Sequence, residues 1–251
     1  MKVIKAGFNY SQDGPGNRLI FHLQGCNMQC PWCSNPEGMD LNGCMMMKSG
    51  GIQEKSYQEY TVQDMIQEAK ECSPLFFDGG GVTVSGGEPT LQFAELKELL
   101  KGLHEMGIHT SIETNGTHKH IEDLFPFLDL MIVDLKHIDE KMHKAFTGLS
   151  NRRTKETLRK AFEFGQKVWI RTPLIGGFND KKEYAEEFVR FYSQYNTQQA
   201  KFEILLYHEY GKEKWKQCGK EYRMTNSFVD ENIRSYYEKL YEENGLYVIR
   251  T

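Results

Sequence analysis

Residues 78–89 read Asp78-Gly79-Gly80-Gly81-Val82-Thr83-Val84-Ser85-Gly86-Gly87-Glu88-Pro89, DGGGVTVSGGEP. The β-branched run from Val82 to Val84 predicts a short buried strand, and the glycines with Pro89 predict a turn into a helix from Thr90. Similar strand candidates occur at Leu19 to Leu23, His109 to Ile112, Leu130 to Leu135, Val168 to Arg171 and Phe202 to Tyr207. Segments of helical period lie between them. Thr61 to Asp64 has the form of a capping box ahead of Val62, Met65, Ile66 and Ala69. Leu96, Leu99, Leu100 and Leu103 repeat the spacing, as do Leu158, Ala161, Phe162 and Gly165. A fourth segment, Val229 to Tyr241, carries Ile233, Tyr237 and Leu240. Such alternation predicts right-handed βαβ units and a parallel sheet. The pattern supplies about six units, fewer than the eight of a closed barrel. Both an incomplete barrel and an open doubly wound sheet fit.

With 251 residues, 39% hydrophobic and 26% charged, one α/β domain is expected over 1–251. Repeats and Pro/Gly-rich linkers that would divide the chain are absent, and the least regular part is the polar insertion 34–60. A net charge of −4 argues against a broad basic face for nucleic acid. Without a long apolar window or a leader-like N-terminus, the expectation is a cytoplasmic protein with no membrane association.

Three of the six cysteines fall in Gly25 to Cys33, GCNMQCPWC. In a reducing compartment such a cluster reads as metal ligands rather than disulfides. Cys26, Cys30 and Cys33, spaced CxxxCxxC, can wrap one face of an iron-sulfur cube and leave one iron without a protein ligand. The bland alternative is a zinc ribbon completed by Cys44 or a more distant residue. His22 belongs to a strand and is expected to pack. Cys44, Cys72 and Cys218 are scattered, and the Cys44-Met45-Met46-Met47 run favours packing or partner contact over copper.

Polar residues collect at the carboxyl ends of successive strands, the usual active-site face of such sheets. Cys26 follows the first strand, Gly86-Gly87-Glu88 the second and Glu113-Thr114-Asn115 the third. Asp134 and Lys136 end the fourth, Arg171 ends the fifth, and His208 follows the sixth. The dull readings are a tight Gly-rich connection at 85–87 and helix caps at Glu113 or Asp134.

CxxxCxxC followed by SGGEP resembles the radical SAM superfamily. DGPGNR at 13–18, GCNMQCPWC, GGVTVSGGEPTLQ, ETNG, VDLK and LLYHEYGKEKW together resemble the glycyl radical enzyme activases, the family that includes pyruvate formate-lyase activating enzymes, nearly end to end. The resemblance implies a partial (β/α)6 TIM-like barrel of the radical SAM type. It implies one 4Fe-4S cluster on Cys26, Cys30 and Cys33, with S-adenosylmethionine on its open iron. Ser85, Gly86, Gly87 and Glu88 would line the methionine moiety, and Trp32 would sit beside the adenine. Lys136, Arg171 and His208 would contact the cosubstrate's carboxylate, ribose or adenosyl part. A monovalent cation would be held by Glu113, Thr114 and Asp134, where the family example has Asp in place of Glu113. Many activases insert a ferredoxin-like domain before SGGEP. Here Ser34 to Gly80 holds only Cys44 and Cys72, too few thiols for two further clusters. The implied activity is abstraction of a glycine Cα hydrogen from a partner glycyl radical enzyme, with flavodoxin or ferredoxin as electron donor. The rivals are a radical SAM enzyme acting on a small molecule or peptide, and a non-catalytic metal-binding or electron-transfer module.

Overall fold

A computed structural model describes residues 1–251. The chain opens with an antiparallel pair, β1 (Lys2–Tyr10) and β2 (Asn17–Leu23), in which Ala6 faces Phe21 and Tyr10 faces Asn17. The insertion expected to be irregular contains a hairpin, β3 (Met45–Met47) and β4 (Gln53–Lys55), and returns through β5 (Gln58–Glu59) to pair with β1. Then follow α1 (Val62–Cys72), β6 (Gly81–Gly86), α2 (Phe93–Glu105), β7 (Thr110–Thr114) and β8 (Leu130–Asp134). The chain continues through α3 (Glu140–Thr147), α4 (Arg152–Phe164), β9 (Val168–Leu174), α5 (Lys182–Tyr192) and β10 (Ala200–Leu206). It ends with α6 (Lys212–Gln217), α7 (Glu231–Glu243) and β11 (Val248–Ile249).

The main sheet runs β11-β10-β9-β8-β7-β6-β2-β1-β5, and every neighbouring pair from β2 to β11 is parallel. Each crossover therefore advances by one strand in one direction. A doubly wound sheet needs a reversal of strand order, and none occurs. Right-handed crossovers without reversal put all the connecting helices on one face, so the sheet curls with its other face inward. The result is the incomplete barrel, with β11 and β5 left unpaired to each other at its edges.

The outer core forms where the helical stripes meet the sheet. Leu96, Leu99, Leu100 and Leu103 of α2 and Leu158 and Ala161 of α4 are all fully buried there. Thr61 caps α1 as expected: its hydroxyl accepts from the Asp64 amide, and Asp64 accepts from the Thr61 amide. Gly165 is not on the face of α4 but ends it. It takes φ of 78°, and its amide bonds back to Ala161 and Phe162. The segment after SGGEP starts as a 3-10 turn at Pro89–Gln92, and the α-helix begins only at Phe93.

Candidate functional site

At the carboxyl ends of the parallel strands lies a cavity of about 550 Å3, bordered by all three clustered cysteines, the Ser85–Gly87 loop, Asp134, Lys136 and His208. The cysteine loop leaves β2 and is pinned from several sides. Gln24 Nε2 donates to the carbonyls of Glu37 and Asp40 at 2.7 and 2.6 Å. The Gly25 amide bonds Gly38, and the Gly25 carbonyl accepts from the Glu88 amide at 2.7 Å. Close packing explains the glycines of SGGEP. A Cβ on Gly86 would run into the Leu23 backbone, and one on Gly87 into the carbonyls of Gly25 and Gly38.

Burial pushes the thiols of Cys26 and Cys30 up to about 12, and that of Cys33 upward. Against this, the Met28 amide points at Cys26 Sγ and the Asn35 amide at Cys33 Sγ, each at 3.4 Å. Lys136 further favours the anion of Cys30. Amide donors and a nearby ammonium suit thiolates that a bound metal would draw out. No three His, Cys, Asp or Glu side chains converge closely enough for a single metal ion. Thiols that share a cavity without converging on one point suit a cluster, whose irons occupy separate corners. Met28, Trp32, Ile175, Phe178 and Tyr207 form an apolar collar around them. Trp32 tilts against Phe178, with ring centroids 4.7 Å apart. Cys44, the nearest fourth thiol a zinc ribbon would use, does not border the cavity.

Two of the expected ligand residues do not border the cavity. Glu88 is fully buried. Its Oε1 accepts from Thr90 N at 3.1 Å, Thr90 Oγ1 at 2.5 Å and Thr114 Oγ1 at 2.7 Å, and its Oε2 from Asn115 N at 2.7 Å. Burial raises its pKa while these donors oppose the shift. The carboxylate thus ties the SGGEP loop to ETNG. Arg171 lies inside β9 rather than at its end. Its Nη1 reaches Glu113 at 2.7 Å, its Nε reaches Glu203 at 2.8 Å, and its Nη2 donates to the Gln12 carbonyl.

The three residues expected to hold a cation all border the cavity but are already engaged. Glu113 accepts from Ser85 Oγ at 2.6 Å as well as from Arg171. Burial opposes its ionisation, yet these partners hold it below the ordinary glutamate value. Thr114 donates to Glu88, and Asp134 pairs with Lys136 Nζ at 2.7 Å. His208 stacks on Tyr210, and burial lowers its pKa.

Some residues at the cavity escaped sequence reasoning. Lys5, Asn9 and Gln12 arrive on β1 and the turn that follows it, and no sequence pattern flagged that strand. His22 borders the cavity, with its pKa pushed down to about 4 by burial. Asp13 does so as well, whereas Arg18 of the same DGPGNR stretch is an internal strut. Fully buried, it donates to Thr83 Oγ1 and the Val82 carbonyl, both at 2.8 Å, and joins β2 to β6.

Residues 20–191 match the model of the radical SAM superfamily. The pyruvate formate-lyase-activating enzyme of Staphylococcus epidermidis (strain ATCC 12228 / FDA PCI 1200) is 38% identical over 223 residues, 85% of this chain and 84% of the relative. That of Staphylococcus aureus (strain USA300) is 37% identical over 236 residues, 90% and 89% of the two chains. Among solved structures, a domain of pyruvate-formate lyase-activating enzyme from Bacteroides vulgatus ATCC 8482 superposes with a TM-score of 0.56 at 23% identity, covering 68% of this chain and 98% of that one. A radical SAM methyltransferase from Sphaerobacter thermophilus gives 0.64 at 17% identity, covering 96% and 67%. At these identities the two structures speak to the fold alone.

Proposed function

The chain belongs to the radical SAM superfamily and, within it, to the pyruvate formate-lyase-activating enzymes, and from that premise we propose that it installs a glycyl radical on a partner enzyme. The observation that carries the reading is the meeting of Cys26, Cys30 and Cys33 with the Ser85–Gly87 loop around one cavity. In this reading Cys26, Cys30 and Cys33 would hold one 4Fe-4S cluster, with S-adenosylmethionine bound beside it. When bound, cluster and cosubstrate would together supply the radical chemistry that takes a hydrogen from a glycine Cα.

The chain's own residues bind, orient and exclude water. The amides of Met28 and Asn35 support the thiolates of Cys26 and Cys33. Trp32 and its aromatic neighbours offer an apolar face to the adenine. Ser85, Gly86 and Gly87 offer backbone polar groups to the methionine moiety, and Lys136 and His208 contact the cosubstrate's carboxylate, ribose or adenosyl part. Glu88 and Arg171 are assigned to positioning, because their charges are engaged within the protein. The reading includes a monovalent cation at Glu113, Thr114 and Asp134, where Lys136 already occupies Oδ2 of Asp134. It also takes residues 1–251 as one domain with a single cluster. The partner is a glycyl radical enzyme, the electron donor a flavodoxin or ferredoxin, and the setting an anaerobic cytoplasm.

The test is formation of 5′-deoxyadenosine from S-adenosylmethionine by anaerobically reconstituted, reduced protein, beside a variant with Cys26, Cys30 and Cys33 changed to Ala. Product from the wild type alone, followed by a glycyl radical signal on the partner, is expected. Failure of the cluster-loaded protein to bind S-adenosylmethionine would overturn the reading and favour a non-catalytic metal module.

A further inference from the structure

Cys44 and Cys218 are separated by 174 positions in the chain, yet their Sγ atoms lie 3.5 Å apart. Neither belongs to the cysteine triad, and neither borders the cavity. Both thiols are free and half-buried. Cys44 leads into β3, and its amide bonds Ser56 Oγ at 3.0 Å. Cys218 ends α6, with its amide on the Lys214 carbonyl.

What α6 touches gives the pair its interest. Trp215 Nε1 donates to the Cys33 carbonyl at 2.9 Å. Lys214 Nζ reaches Asn35 Oδ1 at 2.7 Å and Glu37 Oε1 at 2.8 Å, and Lys220 Nζ reaches the Pro36 carbonyl at 3.2 Å. The helix thus clamps the segment that follows the last clustered cysteine. The stretch leading into it brings His208 and Tyr210 to the cavity, and Lys214 follows from α6 itself. Apart from the thiol contact at its far end, these holds on the loop are hydrogen bonds and an ion pair, which can open and reform.

We propose that Cys44 and Cys218 form a reversible dithiol–disulfide site that staples α6 to the entry of the β3–β4 hairpin. To bond, the sulfurs must close from 3.5 Å to about 2 Å, between a hairpin entry and a helix end. The oxidant class is a low-molecular-weight disulfide, RSSR. The Cys44 thiolate attacks one sulfur of RSSR, the S–S bond breaks, and one RS⁻ leaves and takes up a proton. Cys218 then attacks the Cys44 sulfur of the mixed disulfide and releases the second RSH. Two protein thiols are oxidised, and one small disulfide is reduced to two thiols. Burial, with the neighbouring Cys44, pushes the Cys218 thiol up to about 12, so the second step is the slower one and proceeds as the Cys218 proton passes to the departing RS⁻. Reduction by a dithiol reverses both steps. In the oxidised form the wall carrying His208, Tyr210 and Lys214 is fastened to the hairpin; in the reduced form it is free to hinge.

The experiment equilibrates anaerobic, cluster-loaded protein with mixtures of reduced and oxidised glutathione, traps thiols with a maleimide, and maps the peptides by mass spectrometry. Cys72, also half-buried, is the internal control. Cys44 and Cys218 should leave the alkylated pool together and appear as one cross-linked peptide while Cys72 stays alkylated. Hydrogen exchange of the 212–218 amides should slow at least tenfold on oxidation and recover on reduction. In Cys44→Ser and Cys218→Ser the remaining thiol should carry glutathione and no cross-link. The proposal is overturned by separate glutathione adducts on Cys44 and Cys218 in the wild type, by cross-links to Cys26, Cys30 or Cys33 instead, or by unchanged exchange at 212–218 in the cross-linked protein.

Discussion

Arg171 Nη1 stands 2.7 Å from Glu113 Oε1, joining β9 to β7 across the intervening β8. The same guanidinium holds Glu203 at 2.8 Å from β10. Removing it would strand the buried carboxylate of Glu203 and the part-buried one of Glu113, and breaking a buried ion pair typically costs about 3–5 kcal/mol. Arg171→Met is therefore expected to destabilise the protein on that scale in anaerobic urea unfolding, with Arg171→Lys intermediate. A loss below ~1 kcal/mol would contradict the structural role given to Arg171.

Asp13 lies behind the same pair, and burial, then the Glu113 charge, push its pKa up to about 6 from 3.8. The native state therefore holds this proton more tightly than the unfolded chain. Its effect on stability is neutral below pH 4 and becomes unfavourable as the pH rises from 4 to 6, by on the order of 3 kcal/mol at most. Glu113, held low, acts in the opposite sense: its contribution is present at neutral pH and fades as the pH falls below about 4.5. Asp13→Asn should raise the midpoint of unfolding at pH 7.5 and leave it nearly unchanged at pH 4. An equal shift at both pH values would show that the ionisation of Asp13 is not the cause.

Glu88→Ala would leave the Asn115 amide and the Thr90 and Thr114 hydroxyls without their buried acceptor. An expected loss of about 2–4 kcal/mol follows from unsatisfied donors of a charged acceptor. Glu88→Gln, which keeps a carbonyl acceptor, should lose less. Measured beside S-adenosylmethionine affinity, the pair separates two roles. Weakened binding at unchanged stability would mean that Glu88 touches the ligand directly.

Gly87→Ala puts a Cβ against the carbonyls of Gly25 and Gly38, which belong to the cysteine loop and its support. The barrel core lies elsewhere, so the loop should yield first. Iron content after reconstitution is expected to fall severalfold while far-ultraviolet circular dichroism stays close to wild type. Full iron loading would show that the loop tolerates the displacement.

Features that depend on local pattern can be read from the chain alone. Six of the seven parallel strands, the Thr61 cap and the leucine stripe of α2 were legible, because a strand buried on both faces reads as a short apolar run, a helix buried on one face leaves a periodic stripe, and a capping box has a fixed spacing. CxxxCxxC and SGGEP were legible because close backbone approach and metal ligation restrict residue types at fixed spacing. β1 was not, because its mixed face, with Phe8 and Tyr10 exposed, carries no clean alternation. The choice between an incomplete barrel and a doubly wound sheet was decided only by strand order, a property of how crossovers follow one another in space. Tertiary structure alone also decided which charges face the cavity. Sequence reasoning set Glu88 and Arg171 at the ligand, but in the folded chain each is bound by partners from distant strands and loops. The meeting of Cys44 with Cys218 is of the same kind, since a contact across 174 residues leaves no local pattern to read.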